Sequence, residues 1–318
     1  MICASPSVLL VTATSDLAAD LLVLAARERG LKLIRLNQDD FPDRLRIEWH
    51  SGGEARFHTD AGTFAGTDVT GAWFRRKSLR HAGHDPATSF AAREIDAYLT
   101  GVWEAADWFW MNRPLAVARA EHKLLQLRQA RRLGLGIPET LATNNPHAAR
   151  GFAHSHSAIA KTMAGGTVGI EGVGHAIFTT AITPDDLAGD DEIAACPVLF
   201  QRRVATAFDV RVTVVAERVF PARIILRDRM PADTDWRAAD PARLRYDHHV
   251  LPSDLEAKCV QLVAAMGLSY GALDFIVTPE GEHVFLEINP SGQWGWIERA
   301  LGLPITNAIL DRLRQGQI

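Results

Sequence analysis

The chain has 318 residues, of which 47% are hydrophobic and 23% are charged, a balance typical of a water-soluble globular protein. A chain of this length exceeds one compact core of ordinary size, so two or three subdomains are predicted. The formal net charge of −4 gives no overall positive field, which argues against a nucleic-acid partner and means that local sites must hold any anionic ligand. The cysteines form no CxxC pair, so no disulfide framework or cysteine metal site is predicted; they are Cys3, Cys196 and Cys259.

The N-terminal run VLLVTATSDLAADLLVLAAR is apolar enough to suggest a signal peptide or a membrane segment. Asp16 and Asp20 interrupt it and no basic leader region precedes it, so we reject both interpretations. The run instead predicts a strand over residues 8–13 and a helix that ends at Gly30, after which LKLIRLN predicts a second strand. This order predicts a βαβ opening of an α/β domain.

Short alternating runs between residues 46 and 74 predict further strands and a hairpin. They end in three cations at residues 75–77, which either bind an anionic group or form a strand end that reaches solvent. Apolar residues spaced three and four apart predict a helix over residues 86–110. Pro114 then favours an extended linker, so we place the first domain at residues 1–114.

Two lysines stand out in the central part of the chain. Lys123 lies on a helix predicted over residues 116–133, where a cation is typical of a solvated face. Lys161 lies near the end of a predicted strand, and a glycine-rich loop that starts with Gly165 and Gly166 follows. Backbone N–H groups approach phosphates closely where no side chain intrudes, and an ammonium group supplies positive charge. The loop is therefore either a nucleotide-binding turn or an ordinary hairpin.

The next segment is acidic, and it is either a solvated surface or a docking site for a basic peptide. Its acidic residues are Asp185, Asp186, Asp190, Asp191 and Glu192. Arg211 and Arg223 follow in strands rich in Val and Ile, where an unpaired arginine would be costly to bury. Either an anionic ligand or internal ion pairs to Asp209 or Glu217 would remove that cost. The polar region at residues 228–247 predicts a mobile loop.

Three oxygen-bearing side chains interrupt two apolar, strand-like runs near the C-terminus, ALDFIV and HVFLEIN. Glu287 and Asn289 are two residues apart and project to the same side of a strand. A turn between the runs predicts a hairpin, which would present Asp274 to that side as well. Two carboxylates and an amide oxygen suit a hard cation such as Mg²⁺. The alternative is that the two acids lie on a solvated strand face.

The order of these features resembles that of the ATP-grasp ligases. The run FLEINPSGQWGWIE, together with WFRRK and WMNRP, is similar more narrowly to the microviridin-type graspetide synthetases, which are ATP-grasp macrocyclases of ribosomal peptides. This resemblance extends over nearly the whole chain. It implies an α/β protein with the ATP-grasp fold, in which an N-terminal βαβ pre-grasp domain precedes α+β lobes at residues 115–200 and 201–318.

The resemblance also implies ATP between the two lobes, two Mg²⁺ ions, and specific roles for residues of this chain. The residues expected to hold ATP are Lys123, Lys161, Gly165, Gly166, Gln201, Arg203, Val204 and Asp209. The expected Mg²⁺ ligands are Asp274, Glu287 and Asn289, and the expected catalytic arginines are Arg211 and Arg223. The residues whose roles stay open are Arg75, Arg76, Trp294 and Trp296.

The function implied is that of a cytoplasmic ligase that cyclises a ribosomal precursor peptide. ATP would activate an Asp or Glu side chain as an acyl phosphate, and a Ser or Thr hydroxyl or a Lys amine would then form an ester or an amide. The leader segment of the precursor is expected to dock on the acidic residues of the segment 185–192, and a homodimer would fit the family. The alternatives are a ligase that adds amino acids such as glutamate to a protein or peptide, and a peptide-binding protein without catalysis.

Overall fold

The N-terminal part of the chain forms a parallel sheet with a small antiparallel sheet beside it. The computed structural model describes residues 7–76, 85–164, 167–170, 173–228 and 235–315. The elements of this part are β1 (Ser7–Thr12), α1 (Leu17–Glu28), β2 (Leu33–Asn37), β3 (Leu45–Trp49), β4 (Ala55–Thr59), β5 (Gly62–Ala65), β6 (Val69–Phe74), α2 (Pro86–Glu104), β7 (Phe109–Trp110) and α3 (Pro114–Ala120). The sheets have the orders β2-β1-β6-β7 and β3-β4-β5. Because β1 and β2 are parallel and α1 connects them, the predicted βαβ unit is confirmed.

The central part of the chain forms a four-stranded antiparallel sheet and a separate hairpin. Its elements are α4 (Lys123–Arg132), β8 (Thr140–Thr143), α5 (Pro146–Ser155), β9 (Ala158–Lys161), β10 (Thr167–Ile170), β11 (Val173–Ala176), β12 (Thr180–Ile182), α6 (Asp190–Ala195) and β13 (Val198–Arg202). The sheet has the order β12-β9-β13-β8, and β10 pairs with β11. Lys161 is therefore the last residue of a strand that lies between two neighbours.

The C-terminal part forms a five-stranded antiparallel sheet of order β16-β15-β14-β17-β18. Its elements are β14 (Phe208–Val215), β15 (Arg218–Leu226), β16 (Leu244–His248), α7 (Ser253–Ala265), β17 (Tyr270–Val277), β18 (His283–Asn289), α8 (Gly295–Leu301) and α9 (Ile305–Gln315). The predicted hairpin of β17 and β18 is confirmed. Within the described ranges, no helix is long and apolar enough to cross a lipid bilayer.

Two predicted helices differ from the observed ones. The helix predicted over residues 86–110 ends at Glu104, because Phe109 and Trp110 pair with β6 as the edge strand β7. The helix predicted over residues 116–133 is divided into α3 and α4. The break is stabilised because the buried side-chain amide of Gln126 donates a hydrogen bond to the carbonyl of Ala120 at 2.7 Å. As a result, Lys123 is the first residue of α4.

The C-terminal sheet separates two hydrophobic cores. One face packs against α4 and α7, and its core includes Val210, Leu273 and Phe275. The other face packs against α8, α9 and the N-terminal domain, and its core includes Tyr270 and Trp294. The second core therefore joins the N-terminal domain to the C-terminal sheet, since hydrophobic burial is the main stabilising term in such contacts.

Trp294 lies at the centre of this junction and is fully buried. Its ring lies 5.4 Å from that of Trp73 in the N-terminal sheet, and its indole N–H donates to Thr306 Oγ1 at 2.9 Å. Trp296 is only partly buried and contacts Trp236 and Tyr246 instead. The two tryptophans of the SGQWGWIE run thus have different environments.

We expect Trp294→Ala to lower the free energy of unfolding by about 3–5 kcal/mol, because it removes a large buried ring and leaves a cavity. Trp296→Ala is the matched control and should cost less, since that ring is already partly in contact with solvent. Denaturant unfolding of both variants measures the difference. Equal losses of stability would contradict the assignment of Trp294 to the junction.

Candidate functional site

Three charged side chains form a row across the C-terminal sheet. Arg211 of β14 lies directly opposite Asp274 of β17, and Asp274 lies directly opposite Glu287 of β18. Cross-strand partners project to the same face of a sheet, so all three side chains meet on one face. A β-bulge follows at once, because Phe275 is opposite Phe285 and Leu286 is the extra residue. The row thus lies at the point where the regular pairing of β17 and β18 is interrupted.

Both carboxylates in this row contact cations of the protein. Arg211 Nε lies 2.7 Å from Asp274 Oδ1. Lys123 Nζ donates to Glu287 Oε2 at 2.9 Å, and Arg237 Nη1 donates to Glu287 Oε1 at 3.0 Å. Lys123 therefore points into the cluster and does not lie on a solvated helix face, because the break before α4 places it beside β18.

The electrostatics of the two carboxylates reflect their burial and their neighbours. Burial raises the pKa of Asp274 above its usual range; Arg211 opposes this shift and Glu287 adds to it. Burial would also raise the pKa of Glu287, but Lys123 and Arg237 outweigh it and lower that pKa to about 2. Arg211, Lys123 and Arg237 thus compensate the buried Asp274 and the half-buried Glu287, and the two adjacent negative charges would also stabilise a divalent cation.

The third predicted metal ligand, Asn289, lies two residues beyond Glu287 on β18. Its side-chain oxygen accepts a hydrogen bond from the backbone N–H of Ser291 at 2.9 Å. Among the described residues, no three His, Cys, Asp or Glu side chains come together. The two carboxylates and one amide oxygen are the type of ligand that Mg²⁺ takes, and Mg²⁺ usually completes its coordination with water and substrate phosphates.

A cavity of about 950 Å³ opens beside this cluster. Lys123, Lys161, Glu287 and Asn289 all line it. Lys161 is half-buried, and burial lowers the pKa of its ammonium group while Glu287 opposes the shift. The cavity thus combines two cations with oxygen ligands, an arrangement suited to a polyphosphate with its metal ion. Gly165 and Gly166, with which the predicted glycine-rich loop starts, lie outside the described residues.

A second, smaller cavity lies between the central and C-terminal sheets. Gln201, Val204 and Asp209 line it, together with the apolar Ile159 and Leu286. The buried Gln201 donates from Nε2 to Thr140 Oγ1 at 3.1 Å. Its Oε1 atom has no hydrogen-bond donor within the part of the chain that the structure describes.

An unsatisfied buried acceptor costs about 1–3 kcal/mol, so Gln201 Oε1 is a position where a ligand N–H group would be stabilised. The backbone N–H of Arg203 is already bonded to the carbonyl of Ser157 at 2.7 Å. Three of the residues predicted to hold ATP, Gln201, Val204 and Asp209, therefore line one cavity, whereas Arg203 is not among its lining residues. The unpaired Gln201 acceptor suits an N–H donor such as the amino group of adenine.

Arg223 is not brought to this cluster. It lies opposite Val210, whose side chain packs in the core under α7, whereas Arg211 is the next residue and projects to the other face. The guanidinium carbon of Arg223 lies 3.8 Å from the centre of the Phe208 ring. Strand register thus separates Arg211 and Arg223, which were both predicted to be catalytic.

Arg237 is a member of the cluster that the sequence pattern did not indicate. Asp235 accepts hydrogen bonds from Nε and Nη2 of Arg237, both at 2.9 Å, and this two-point contact directs Nη1 toward Glu287. Burial would raise the pKa of Asp235, but Arg237 lowers it overall. Arg237 lies in the region predicted as a mobile loop, and no spacing signal marks it, because only the folded chain brings Arg237 beside Glu287 of β18.

The acidic segment has local structural roles. Asp190, Asp191 and Glu192 form the first turn of α6, where negative charge stabilises the helix dipole. Asp186 accepts hydrogen bonds from the backbone and side chain of Thr183, both at 2.7 Å. Docking of a leader peptide on these residues stays a prediction.

Comparison with known proteins agrees with this geometry. Residues 7–118 match a family model described as the MvdD pre-ATP grasp domain. The structure is similar to the macrocyclase MdnC bound with precursor peptide MdnA from Microcystis aeruginosa MRC, with a TM-score of 0.86 and 31% identity over 97% of this chain and 99% of that chain. No curated protein matches in a sequence comparison.

Two further solved structures extend this similarity. A RiPP-associated ATP-grasp ligase from Chryseobacterium gregarium, in complex with ADP and a leader and core peptide, matches with a TM-score of 0.86 and 28% identity over 98% of this chain and 97% of that chain. D-alanyl-alanine synthetase A from Vibrio cholerae matches with a TM-score of 0.64 and 13% identity over 98% of both chains, which is evidence for the fold alone. The predicted ATP-grasp fold with a pre-grasp domain is thereby confirmed.

Proposed function

Because the chain belongs to the graspetide-type ATP-grasp ligases, we propose that it macrocyclises a ribosomally made precursor peptide with the use of ATP. The observation that carries this proposal is the row of Arg211, Asp274 and Glu287 beside a cavity that contains Lys123 and Lys161. Relatives in which a precursor peptide or ADP is bound support a peptide substrate and a nucleotide cosubstrate for this chain.

The chemistry explains why ATP is required. A side-chain carboxylate is a poor acceptor for an alcohol or an amine, because the leaving group would be oxide. Transfer of the γ-phosphoryl group to an Asp or Glu oxygen releases ADP and forms an acyl phosphate. Attack by a Ser or Thr hydroxyl, or by a Lys amine, then releases phosphate and leaves an ester or an amide. One water is lost from the peptide for each bond.

The residues of the site fit separate parts of this reaction. Lys123 and Lys161 would contact the phosphates of ATP, and the Gln201 pocket would bind the nucleoside. Mg²⁺, when bound by Asp274, Glu287 and Asn289, would neutralise charge that builds on the transferring phosphoryl oxygens. Arg211 presents a planar guanidinium on the same face, where it can stabilise that charge and the leaving phosphate.

The proposal includes several features that come from the family resemblance. We divide the chain into a pre-grasp domain at residues 1–114 and two lobes at residues 115–200 and 201–318. The peptide partner would carry a leader segment, the enzyme would act in the cytoplasm, and two copies could form a homodimer. Both ester and amide formation are consistent with the chemistry of the site.

Mass spectrometry of a candidate precursor tests the proposed function. A short peptide with repeated Thr or Ser and Asp or Glu, encoded beside this protein, would be incubated with the enzyme, Mg²⁺ and ATP. We expect the peptide to lose one water per ring as ADP forms. A gain in mass would instead indicate an amino-acid ligase, and an unchanged mass without ADP formation would indicate a binding protein; either result would overturn the proposal.

A further inference from the structure

Arg75, the residue that follows β6, is fully buried between the N-terminal domain and the C-terminal sheet. Its Nε atom lies 2.7 Å from Asp16 Oδ2, and its Nη2 atom donates to Asp16 Oδ1 at 3.2 Å. Thr12 Oγ1 also donates to Asp16 at 2.8 Å. One edge of the guanidinium group is therefore anchored to the N-terminal domain.

The other edge of the guanidinium group contacts the chain that follows β18. Nη1 of Arg75 donates to the carbonyl oxygens of Ser291 at 3.2 Å and Gly292 at 3.4 Å. The hydroxyl of Tyr270 donates to the same Gly292 carbonyl at 2.6 Å. The guanidinium carbon also lies 4.6 Å from the centre of the Trp294 ring, a favourable cation–π distance.

The turn that Arg75 contacts is connected to two residues of the candidate site. The backbone N–H of Ser291 donates to the side-chain oxygen of Asn289 at 2.9 Å. A Cβ atom on Gly292 would lie 2.4 Å from Ala272 Cβ and 3.2 Å from Arg211 Nη1, so the turn packs directly against Arg211. A shift of this turn would therefore move both Asn289 and Arg211.

We propose that Arg75 is a positioning residue for the Mg²⁺ and phosphoryl site. Arg75 fixes the carbonyl groups of Ser291 and Gly292. The turn that contains these two residues then orients Asn289 and supports Arg211. Trp73 and Arg75 of the WFRRK run thus contact Ser291, Gly292 and Trp294 of the SGQWGWIE run across the domain junction. The carbonyls of Ser291 and Gly292 satisfy the guanidinium protons that the ion pair with Asp16 leaves without an acceptor. This inference rests on the proposed function.

Arg75→Lys tests this role, because lysine keeps the charge beside Asp16 but lacks the planar fork that reaches the two carbonyls. Arg76→Lys is the matched control, since Arg76 is the next residue and is exposed. Binding of Mn²⁺ to the enzyme with ADP, followed by electron paramagnetic resonance, gives a readout that does not depend on turnover. We expect Arg75→Lys to weaken Mn²⁺ binding by about tenfold or more, the size found when a hydrogen-bond partner of a metal ligand is lost.

Tyr270→Phe provides a second variant that removes only the hydroxyl contact to Gly292 and keeps the ring in the core. We expect it to weaken Mn²⁺ binding by about twofold to tenfold, as for loss of a single hydrogen bond. In turnover assays, both variants should lower kcat and leave the KM for the peptide unchanged.

The controls separate this inference from the proposed function. If the folded Arg75→Lys and Tyr270→Phe variants bind Mn²⁺ as the unaltered enzyme does, Arg75 has only a structural role and the inference is overturned. If Arg75→Lys does not fold, the Tyr270→Phe result decides the question. If the unaltered enzyme binds no Mn²⁺ with ADP, the proposed function itself fails.

Discussion

Glu287→Gln is expected to lower the rate of ATP-dependent peptide cyclisation by about a hundredfold or more. Glu287 is the acidic residue whose two oxygens contact Lys123 and Arg237, and it stands beside Asp274 at the proposed metal site. Glutamine keeps the shape but removes the negative charge and one of the two oxygen ligands. Loss of one well-placed group at a site of developing charge costs about 2.7–4 kcal/mol of transition-state stabilisation.

Glu282→Gln is the matched control, because Glu282 is an exposed acid in the turn of the same hairpin. Turnover is measured as water loss from the precursor, and Mn²⁺ binding with ADP is measured in parallel. Both should fall for Glu287→Gln and remain unchanged for Glu282→Gln. Near-normal turnover by the Glu287→Gln enzyme would refute the assignment of the metal site.

Arg211→Ala is expected to have an effect of similar size, about a hundredfold on turnover. The guanidinium lies 2.7 Å from Asp274 and projects to the face where phosphoryl transfer is proposed. Without it, charge on the transferring group loses a fixed cation. Asp274 also loses its buried ion-pair partner, so the stability of the variant must be measured alongside activity.

Arg223→Ala provides the comparison for Arg211→Ala. Both arginines lie on adjacent strands of one sheet, but they project to opposite faces. Trapping of the acyl phosphate with hydroxylamine separates activation of the carboxylate from ring closure. We expect Arg211→Ala to reduce both the trapped product and ADP release, whereas Arg223→Ala retains them. Equal losses in the two variants would show that Arg223 takes part in the reaction. They would contradict the assignment of catalysis to the face of the sheet to which Arg211 projects.

Much of the site follows from local sequence patterns. The alternation of side chains along β18 places Glu287 and Asn289 on one side, and the tight turn before it makes β17 its partner. Lys161 at a strand end before a glycine-rich loop is likewise a local arrangement. These features are short-range, so the sequence contains the information that determines them.

Other features depend on contacts between distant parts of the chain. Lys123 contacts Glu287 and does not lie on the predicted solvated face, because the helix break at Ala120 turns α4 toward β18. Arg237 contacts Glu287, which is 50 residues away in the chain, and Arg75 contacts Ser291 across a domain junction. Neither contact leaves a periodic or fixed-spacing signal.

The sequence by itself determined the βαβ opening and the carboxylate hairpin, because strand alternation and turn residues are properties of short segments; the type of chemistry was implied by the resemblance to the ATP-grasp ligases. Only the tertiary structure decided that Arg211, and not Arg223, faces the site. Only the tertiary structure likewise explains why the WFRRK and SGQWGWIE runs occur in one chain. Strand register across the sheet determines which arginine faces the site, since a shift of one residue moves a side chain to the opposite face. Burial of Arg75 between the domains explains why the two runs occur together, because a buried guanidinium group must find hydrogen-bond acceptors on both of its sides.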